Sequence, residues 1–473
     1  MSSFAKKITE NQAMGIPLLA FFVGLFIAFT CDGTADNGDS VQHYLISKYA
    51  WQHPVLFLDH WGKPLFTLLS SPFSQFGMEG MKVFNLIVFT STLFLTGKIA
   101  QNLQLSPWLA QVALWACPYV FPQVFGGLTE HLFALWLMAA VFAYQKERFI
   151  LAAFLISWMP FIRSEGLMMM GILGGFLFLE KQWKSLPFLL SGTLIYSIAG
   201  AFHYGDLLWV WTKTPYLLGA DNYGSGKPFH FFEQLFYITG IVVMIAAVLG
   251  LIRLLASPRK IKENKVLWLC LSLFMVFIVA HSIFWTYGLF HSYGMARVLM
   301  GVLPCFALLA AFGVNWTQAF KNKWLRMITK GTLVLGMSIL PFVIAKYKVV
   351  YPKSFSANYV QILFNDFIES NQNQANFKNA DYILTDSPHV RMKLNIDPWD
   401  TLRHENMHKI PRAALKEDPI IVWDKYFSVL EAGVSFDRLE KEGFIPRKKL
   451  IDAWHQDTVY IIYTKANSTH TFE

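Results

Sequence analysis

Apolar residues along the chain fall in long unbroken runs rather than at the spacing of an amphipathic helix or strand. One run covers 16–30, and others follow at roughly 79–100, 105–121, 127–145, 149–162, 166–180, 186–202, 233–254, 266–287, 296–315 and 328–346. A helix needs about twenty apolar residues to cross the hydrocarbon core of a bilayer. The pattern therefore predicts a polytopic α-helical membrane protein with about eleven spans, several of them short. Lys6 and Lys7 ahead of the first run resemble the start of a signal peptide. Thr30 before Cys31 is a poor cleavage site and many spans follow, so an uncleaved first helix is expected. No inverted or direct repeat is visible across the spans, which counts weakly against a secondary transporter.

Basic residues alternate between loops. One set carries Lys6, Lys7, Lys98, Lys146, Arg148, Lys181, Lys184, Arg253, Arg259, Lys260, Lys262, Lys265, Lys321, Lys323, Arg326 and Lys330. The other set, loops 31–78 and 203–232 and the turns near 122–126 and 288–296, holds only scattered lysines. Excess Lys and Arg mark the cytoplasmic side. The N-terminus is thus read as cytoplasmic and the long loop 31–78 as outward. An odd number of spans places everything after about residue 348 outside, where the composition turns abruptly to mixed charge. Residues 1–348 are read as the transmembrane domain and 349–473 as a soluble extracytoplasmic domain. Its β-rich pieces 381–385, 419–423 and 458–464 alternate with helix-like stretches 356–370 and 436–442, which predicts a small α/β layer fold.

Composition agrees with this and narrows the function. Hydrophobic residues make up 54% and charged ones 15%, against about 45–50% and 25% in soluble domains. A single soluble domain, a disordered chain and a nucleic-acid-binding module are all disfavoured. The net charge of +9, from 40 basic and 31 acidic residues, identifies no ligand, because membrane proteins carry excess Lys and Arg for orientation. Four cysteines, Cys31, Cys117, Cys270 and Cys305, lie too far apart for a zinc spacing or a disulfide framework.

Candidate chemistry gathers in the first outer loop, which is too long for a simple connection. It holds Asp32, Asp36, Asp39, His43, His53, Asp59, His60 and Lys63 among aromatic residues. The segment 39–51 reads as an amphipathic helix lying flat on the bilayer, with Asp39 placed either to cap it or to do chemistry. Further along stand Thr129, Glu130 and His131 at the head of a span, the step Arg163, Ser164, Glu165, Gly166 between two short runs, and Tyr293 to Arg297 before the run that ends near 314. Ionisable groups this close to hydrocarbon are functional candidates.

The ordered set resembles the GT-C superfamily of polyprenyl-phosphate-sugar-dependent glycosyltransferases, to which protein O-mannosyltransferases and the lipid A aminoarabinose transferase belong. The pieces are Asp36-Asn37-Gly38-Asp39 opening an amphipathic helix, His60-Trp61-Gly62-Lys63-Pro64, Thr129-Glu130-His131, Arg163-Ser164-Glu165-Gly166, and Tyr293 through Arg297. They cover roughly residues 15–315. Many members have two adjacent acids where this chain has Asp39-Ser40, so either Asp39 or Asp36 occupies the family's catalytic position. The resemblance implies hexosyl or pentosyl transfer, with inversion, from a polyprenyl-phosphate donor to a glycan, lipid or protein acceptor on the outer face.

Such a reaction needs a base for the acceptor hydroxyl and cations for the leaving phosphate. Asp39 is the expected base, with Asp36 in reserve. Lys63, Arg163 and Arg297 are the expected phosphate ligands. Lys63 and Arg297 have plain interfacial anchoring as the alternative, and Arg163 with Glu165 could instead form an internal ion pair with Glu130. His60, Glu130, His131, Glu165, His291 and Tyr293 complete the candidates. The aromatic, glycine-rich loop from Tyr204 to Gly226 is a carbohydrate-contact candidate. No cofactor is identified, although a divalent cation is compatible with phosphate chemistry.

Two other classes compete. A lipid-linked saccharide flippase or transporter would need a continuous polar pathway along several spans, whereas the polar residues here cluster at outer span ends. A membrane zinc protease would use His404-Glu405-Asn406-Met407-His408, which matches HExxH. That motif needs both histidines one turn apart on a helix. Nearby Pro398 and Pro411 leave barely three turns, and no apolar face exists to bury such a helix.

Overall fold

Every apolar run carries helix in the computed structural model, although the run 105–121 does so only over Pro107–Trp115; the structure describes residues 13–215, 223–256, 263–290, 292–316, 321–348, 355–452 and 456–473. Lys6, Lys7, the 216–222 segment, Arg259, Lys260, Lys262 and His291 lie outside the described residues. Among those described, four helices are long and apolar enough to cross a membrane: Gly77–Asn102, Trp183–Tyr204, His230–Leu255 and Lys265–Thr286. Gly15–Thr30, Phe149–Phe161, Gly166–Leu179 and Leu303–Val314 are shorter apolar helices. Proline accounts for part of the shortening. Pro160 sits in a tight turn after Phe149–Ile156, because proline lacks the N–H a regular helix requires.

The helices pack closely where small residues let backbones approach. His230–Leu255 crosses Leu303–Val314 at Gly250 and Gly313. A Cβ added at Gly313 would lie 1.9 Å from the Ala246 carbonyl oxygen, and one at Gly250 would lie 2.2 Å from that of Leu309. With no difference in polarity between lipid and side chain to drive association, such close van der Waals contact holds membrane helices together.

Residues 355–473 contain a five-stranded sheet of order β2-β1-β3-β5-β4, with β1 Tyr382–Leu384, β2 His404–Glu405, β3 Pro419–Asp424, β4 Phe444–Ile451 and β5 Thr458–Lys465. β1 runs parallel to β2 and β3, and β5 runs antiparallel to β3 and β4. β1 and β3 are buried along their whole length, as expected for strands covered on both faces. β4, which the sequence pattern misses, is an edge strand carrying Pro446, Arg447, Lys448 and Lys449. Charge and proline at an edge discourage further pairing and blur the strand signal.

This layer grips the long loop 31–78. Gly33 N–H donates to the Phe355 carbonyl at 3.0 Å, Ala357 N–H to Asp32 Oδ1 at 3.0 Å, and Gln361 Nε2 to Thr34 Oγ1 at 2.6 Å. His53 Nε2 lies 2.8 Å from Asp397 Oδ2. The helix Asp39–Tyr49 is consequently buried on nearly every side, at Ser40, Val41, His43 through Ser47 and Tyr49. It does not present one free face as an amphipathic surface helix would.

Candidate functional site

The start of Asp39–Tyr49 is built by a short polar cradle. Asp36 Oδ1 accepts the backbone N–H groups of Gly38 at 3.0 Å and Ser40 at 2.9 Å, which satisfies donors that a helix start leaves unpaired. The cap therefore belongs to Asp36, and Asp39, the first helical residue, is left to other contacts. Ser40 Oγ donates to the Thr34 carbonyl and accepts the Gly127 N–H at 2.7 Å. A Cβ at Gly127 would lie 2.2 Å from the Ser40 carbonyl oxygen, so only glycine lets the turn before Glu130–Gln145 press onto this helix. Asn85 Nδ2 fixes that turn through the carbonyls of Gly126 at 2.5 Å and Leu128 at 3.1 Å.

From here a chain of ion pairs runs between elements far apart in sequence. Arg297, in the turn Ala296–Gly301, meets Asp36 through Nη1 and Asp39 through Nη2, and its Nε lies 3.4 Å from Glu130. Arg163 binds Glu130 at 2.9 Å and Glu165 at 2.8 Å, and its Nη1 reaches Thr129 Oγ1 at 3.3 Å. His281 Nε2 stands 3.5 Å from Glu165. The internal ion pair of Arg163 with Glu130 weighed above is thus formed, and Arg297 is no plain interfacial anchor.

The chain lines a cavity of about 750 Å³. Asp36, Asp39, His60, Lys63, Glu130, Arg163, Glu165, Tyr293 and Arg297 all face it. His131 does not. It is buried with its ring edge-on to Phe89 at 5.9 Å, as a helix-packing residue. Lys63 is largely buried and holds φ +62°, a left-handed backbone where a residue before proline ordinarily takes an extended one. Such strain in a non-glycine residue tends to occur at functional sites. Of the aromatic loop, Trp211, Thr214 and Tyr223 line the cavity, while Trp209 is buried beneath it.

The two aspartates differ in setting. Asp39 is 43% exposed toward the cavity and Asp36 25%. Burial pushes both carboxyls up. At Asp39 the charge of Arg297, reinforced by Arg163, outweighs burial and holds the carboxyl below its ordinary value. At Asp36 burial prevails, aided by the neighbouring Asp39 charge, and the carboxyl lies above its ordinary value. His43, one turn beyond Asp39 and stacked on Trp61 at 4.8 Å, is pushed down to about 3 by burial and so is neutral.

Sequence reasoning missed several contributors. His43 was noted in the loop but given no role, although it follows Asp39 by four residues on one helical face. His281 was legible as an ionisable group within an apolar run. Tyr426, Phe427 and Glu431, which come from the turn after β3, carried no local signal. His404 and Glu405 form strand β2 and Met407–Lys409 a 3₁₀ turn, so the two histidines do not stand one turn apart on a helix. Among the described residues, no group of three or more His, Cys, Asp or Glu is placed to hold a metal ion.

No model of a known protein family matches the chain, and no characterised protein matches it by sequence. Solved structures do match in fold. The crystal structure of ArnT from Cupriavidus metallidurans bound to undecaprenyl phosphate superposes with a TM-score of 0.63 at 9% identity over 100% of both chains. ArnT from the same organism in the apo state gives 0.61 at 9% identity over 98% of both. The chain thus has the fold of ArnT, the aminoarabinose transferase of the GT-C superfamily, as the motif order implied.

Proposed function

We propose that the protein transfers a sugar from a polyprenyl-phosphate donor to an acceptor at the outer face of the membrane, with inversion and with Asp39 as general base. The observation that carries this reading is the junction of Asp39 with the paired arginines inside one cavity. It lies in a fold that, in ArnT, holds undecaprenyl phosphate. About eleven crossings, a cytoplasmic N-terminus and an outward domain from 349 to 473 complete the arrangement, supported by the alternation of basic loops.

The chemistry follows from the charges. The acceptor oxygen attacks the anomeric carbon as its proton passes to the Asp39 carboxylate, and the bond from that carbon to the phosphate oxygen breaks with its electron pair going to the departing polyprenyl phosphate. Before substrate arrives, three of Arg297's donors already point at carboxylates. Donor phosphate can take the two N–H groups left over or exchange with a carboxylate on the guanidinium. When it takes the place of Asp39, the aspartate loses the cation that weakens it as a base. Lys63 and Arg163 share the phosphate charge as it develops.

The polar side chains lining the cavity gather around one end of the helices, which favours surface chemistry over a flippase pathway. The strand and turn at 404–409 leave no helical HExxH for a zinc protease. The test is purified protein in nanodiscs with a panel of polyprenyl-phosphate sugars, reading release of free polyprenyl phosphate. Turnover of at least one donor is expected, falling roughly ten- to a hundredfold in Arg297→Lys as the bidentate fork is lost. No turnover of any donor, with or without membrane extracts as acceptor source, would sink the reading.

A further inference from the structure

The ion-pair chain leads from Asp39 inward to Glu165 and His281, and it leaves the opposite side of the cavity unexplained. That side is its mouth. Tyr223, Tyr293, Tyr426 and Glu431 meet there from three segments remote in sequence. Tyr223 and Tyr293 pack edge to face at 5.3 Å. Tyr426 stands close to Tyr293, and the Tyr223 hydroxyl donates to the Glu431 carboxylate at 3.2 and 3.3 Å.

The part supplied by the C-terminal layer is held firmly. Asp424, at the end of β3, accepts the backbone N–H groups of Tyr426 at 2.8 Å and Phe427 at 2.7 Å, and its own N–H donates to Ser428 Oγ at 3.0 Å. Phe427 reaches the glycine just before Asp39, since a Cβ added at Gly38 would lie 3.3 Å from its ring. The mouth therefore adjoins the carboxylate that must receive the acceptor's proton.

Its composition selects a ligand class. Three phenol rings offer apolar faces and hydroxyls, and Glu431 offers oxygens that accept from neighbouring hydroxyl groups. Among the described residues, none of the four side chains that form the cluster is a cation, and Glu431 brings a carboxylate to it. An anionic group would meet repulsion there. A neutral polyhydroxylated ring would find stacking surfaces and a charged acceptor.

We propose that Tyr223, Tyr293, Tyr426 and Glu431 form the acceptor subsite, that its ligand is an uncharged carbohydrate, and that Glu431 determines its specificity. This rests on the transferase reading above. The test uses the full chain in nanodiscs and saturation-transfer difference NMR with methyl α-mannoside, methyl β-glucoside and glucuronate as probes. The neutral glycosides should bind and glucuronate should not. Glu431→Gln, at an exposed side chain that folding does not depend on, should weaken glycoside binding about five- to tenfold, since a neutral acceptor replaces a charged one. Tyr426→Ala should weaken it about tenfold by removing a stacking face. Neither change should alter binding of undecaprenyl phosphate alone. Absence of glycoside binding to the wild type, unchanged binding in both variants, or a preference for glucuronate would overturn the proposal. Glycoside binding that depends on Glu431, in a protein that turns over no donor, would instead place the fault in the transferase reading.

Discussion

Exchanging each aspartate separately distinguishes base from helix cap. Asp39→Asn keeps an amide oxygen toward Arg297 and leaves the cap untouched, because Asp36 supplies it. The helix start should stand, and expression and membrane insertion should be normal. What is lost is the proton acceptor, and removing a general base typically costs about 10²–10⁴ in rate, or about 2.7–5.5 kcal/mol of transition-state free energy. Asp36→Asn keeps the capping oxygen and should cost far less. The pH dependence of kcat/KM for donor turnover gives a second reading of the same question. A base acts only when ionised. Burial pushes the Asp39 carboxyl up but Arg297 holds it below the ordinary aspartate value, so the acid limb should fall below about pH 4. If Asp36 were the base, the limb would appear above that pH, since burial leaves its carboxyl raised. A fully active Asp39→Asn beside a dead Asp36→Asn would reassign the base. Full activity in both would remove carboxylate catalysis from the mechanism.

Three further outcomes follow from the same geometry. Ser40→Ala leaves the buried Gly127 N–H without its acceptor and should lower stability by about 1–3 kcal/mol, read as a lower thermal midpoint with reduced transfer. Asp424, buried at the end of β3, has its carboxyl pushed from 3.8 up to about 6 by burial. A raised acid favours the folded state at low pH and loses that advantage as pH climbs through the folded value. Asp424→Asn should therefore stabilise the protein by up to about 3 kcal/mol at pH 7, with the gain vanishing below about pH 4; equal midpoints at pH 7 would refute this. Topology is read by impermeant thiol labelling in a Cys31→Ser background, in intact cells or in spheroplasts if an outer membrane is present. Asn467→Cys, exposed in the C-terminal layer, should label and the exposed Lys146→Cys should not. The reverse pattern would invert the membrane orientation.

Much of this site could be read from the sequence because of where the charges stand. Glu130, Arg163, Glu165 and Arg297 sit at the edges of apolar runs, and a charge beside hydrocarbon is retained only where it has a partner or a task. A list of such residues is thus already a list of network members. The pairing was a different matter. Arg297 reaches Asp36 and Asp39 across some 260 positions, and no periodicity or spacing connects them. The amphipathic pattern at 39–51 was correct for a helix and misleading about its surroundings, since Lys48 and His53 turn toward Asn395 and Asp397 of the C-terminal layer rather than toward lipid headgroups. Tyr426 and Glu431 were invisible for the same reason.

The contrast between the two halves of the cavity has a physical cause. On the inner side, low dielectric forces each ionisable group to be compensated, so residue type alone betrays position. At the mouth, water can satisfy a tyrosine or a glutamate wherever the chain turns, so residue type is a weaker guide: Tyr293 and the loop that holds Tyr223 stand out in the sequence, whereas Tyr426 and Glu431 do not. There the information lies in long-range packing, in the cap that Asp424 places on the turn after β3 and in the close approach of Phe427 to Gly38. If the proposed roles hold, the half of the site that was legible is the half that handles the phosphate, a chemistry that demands charge. What stays hidden, Tyr426 and Glu431, belongs to the half that would recognise the acceptor, a task that uncharged rings and a single carboxylate can perform.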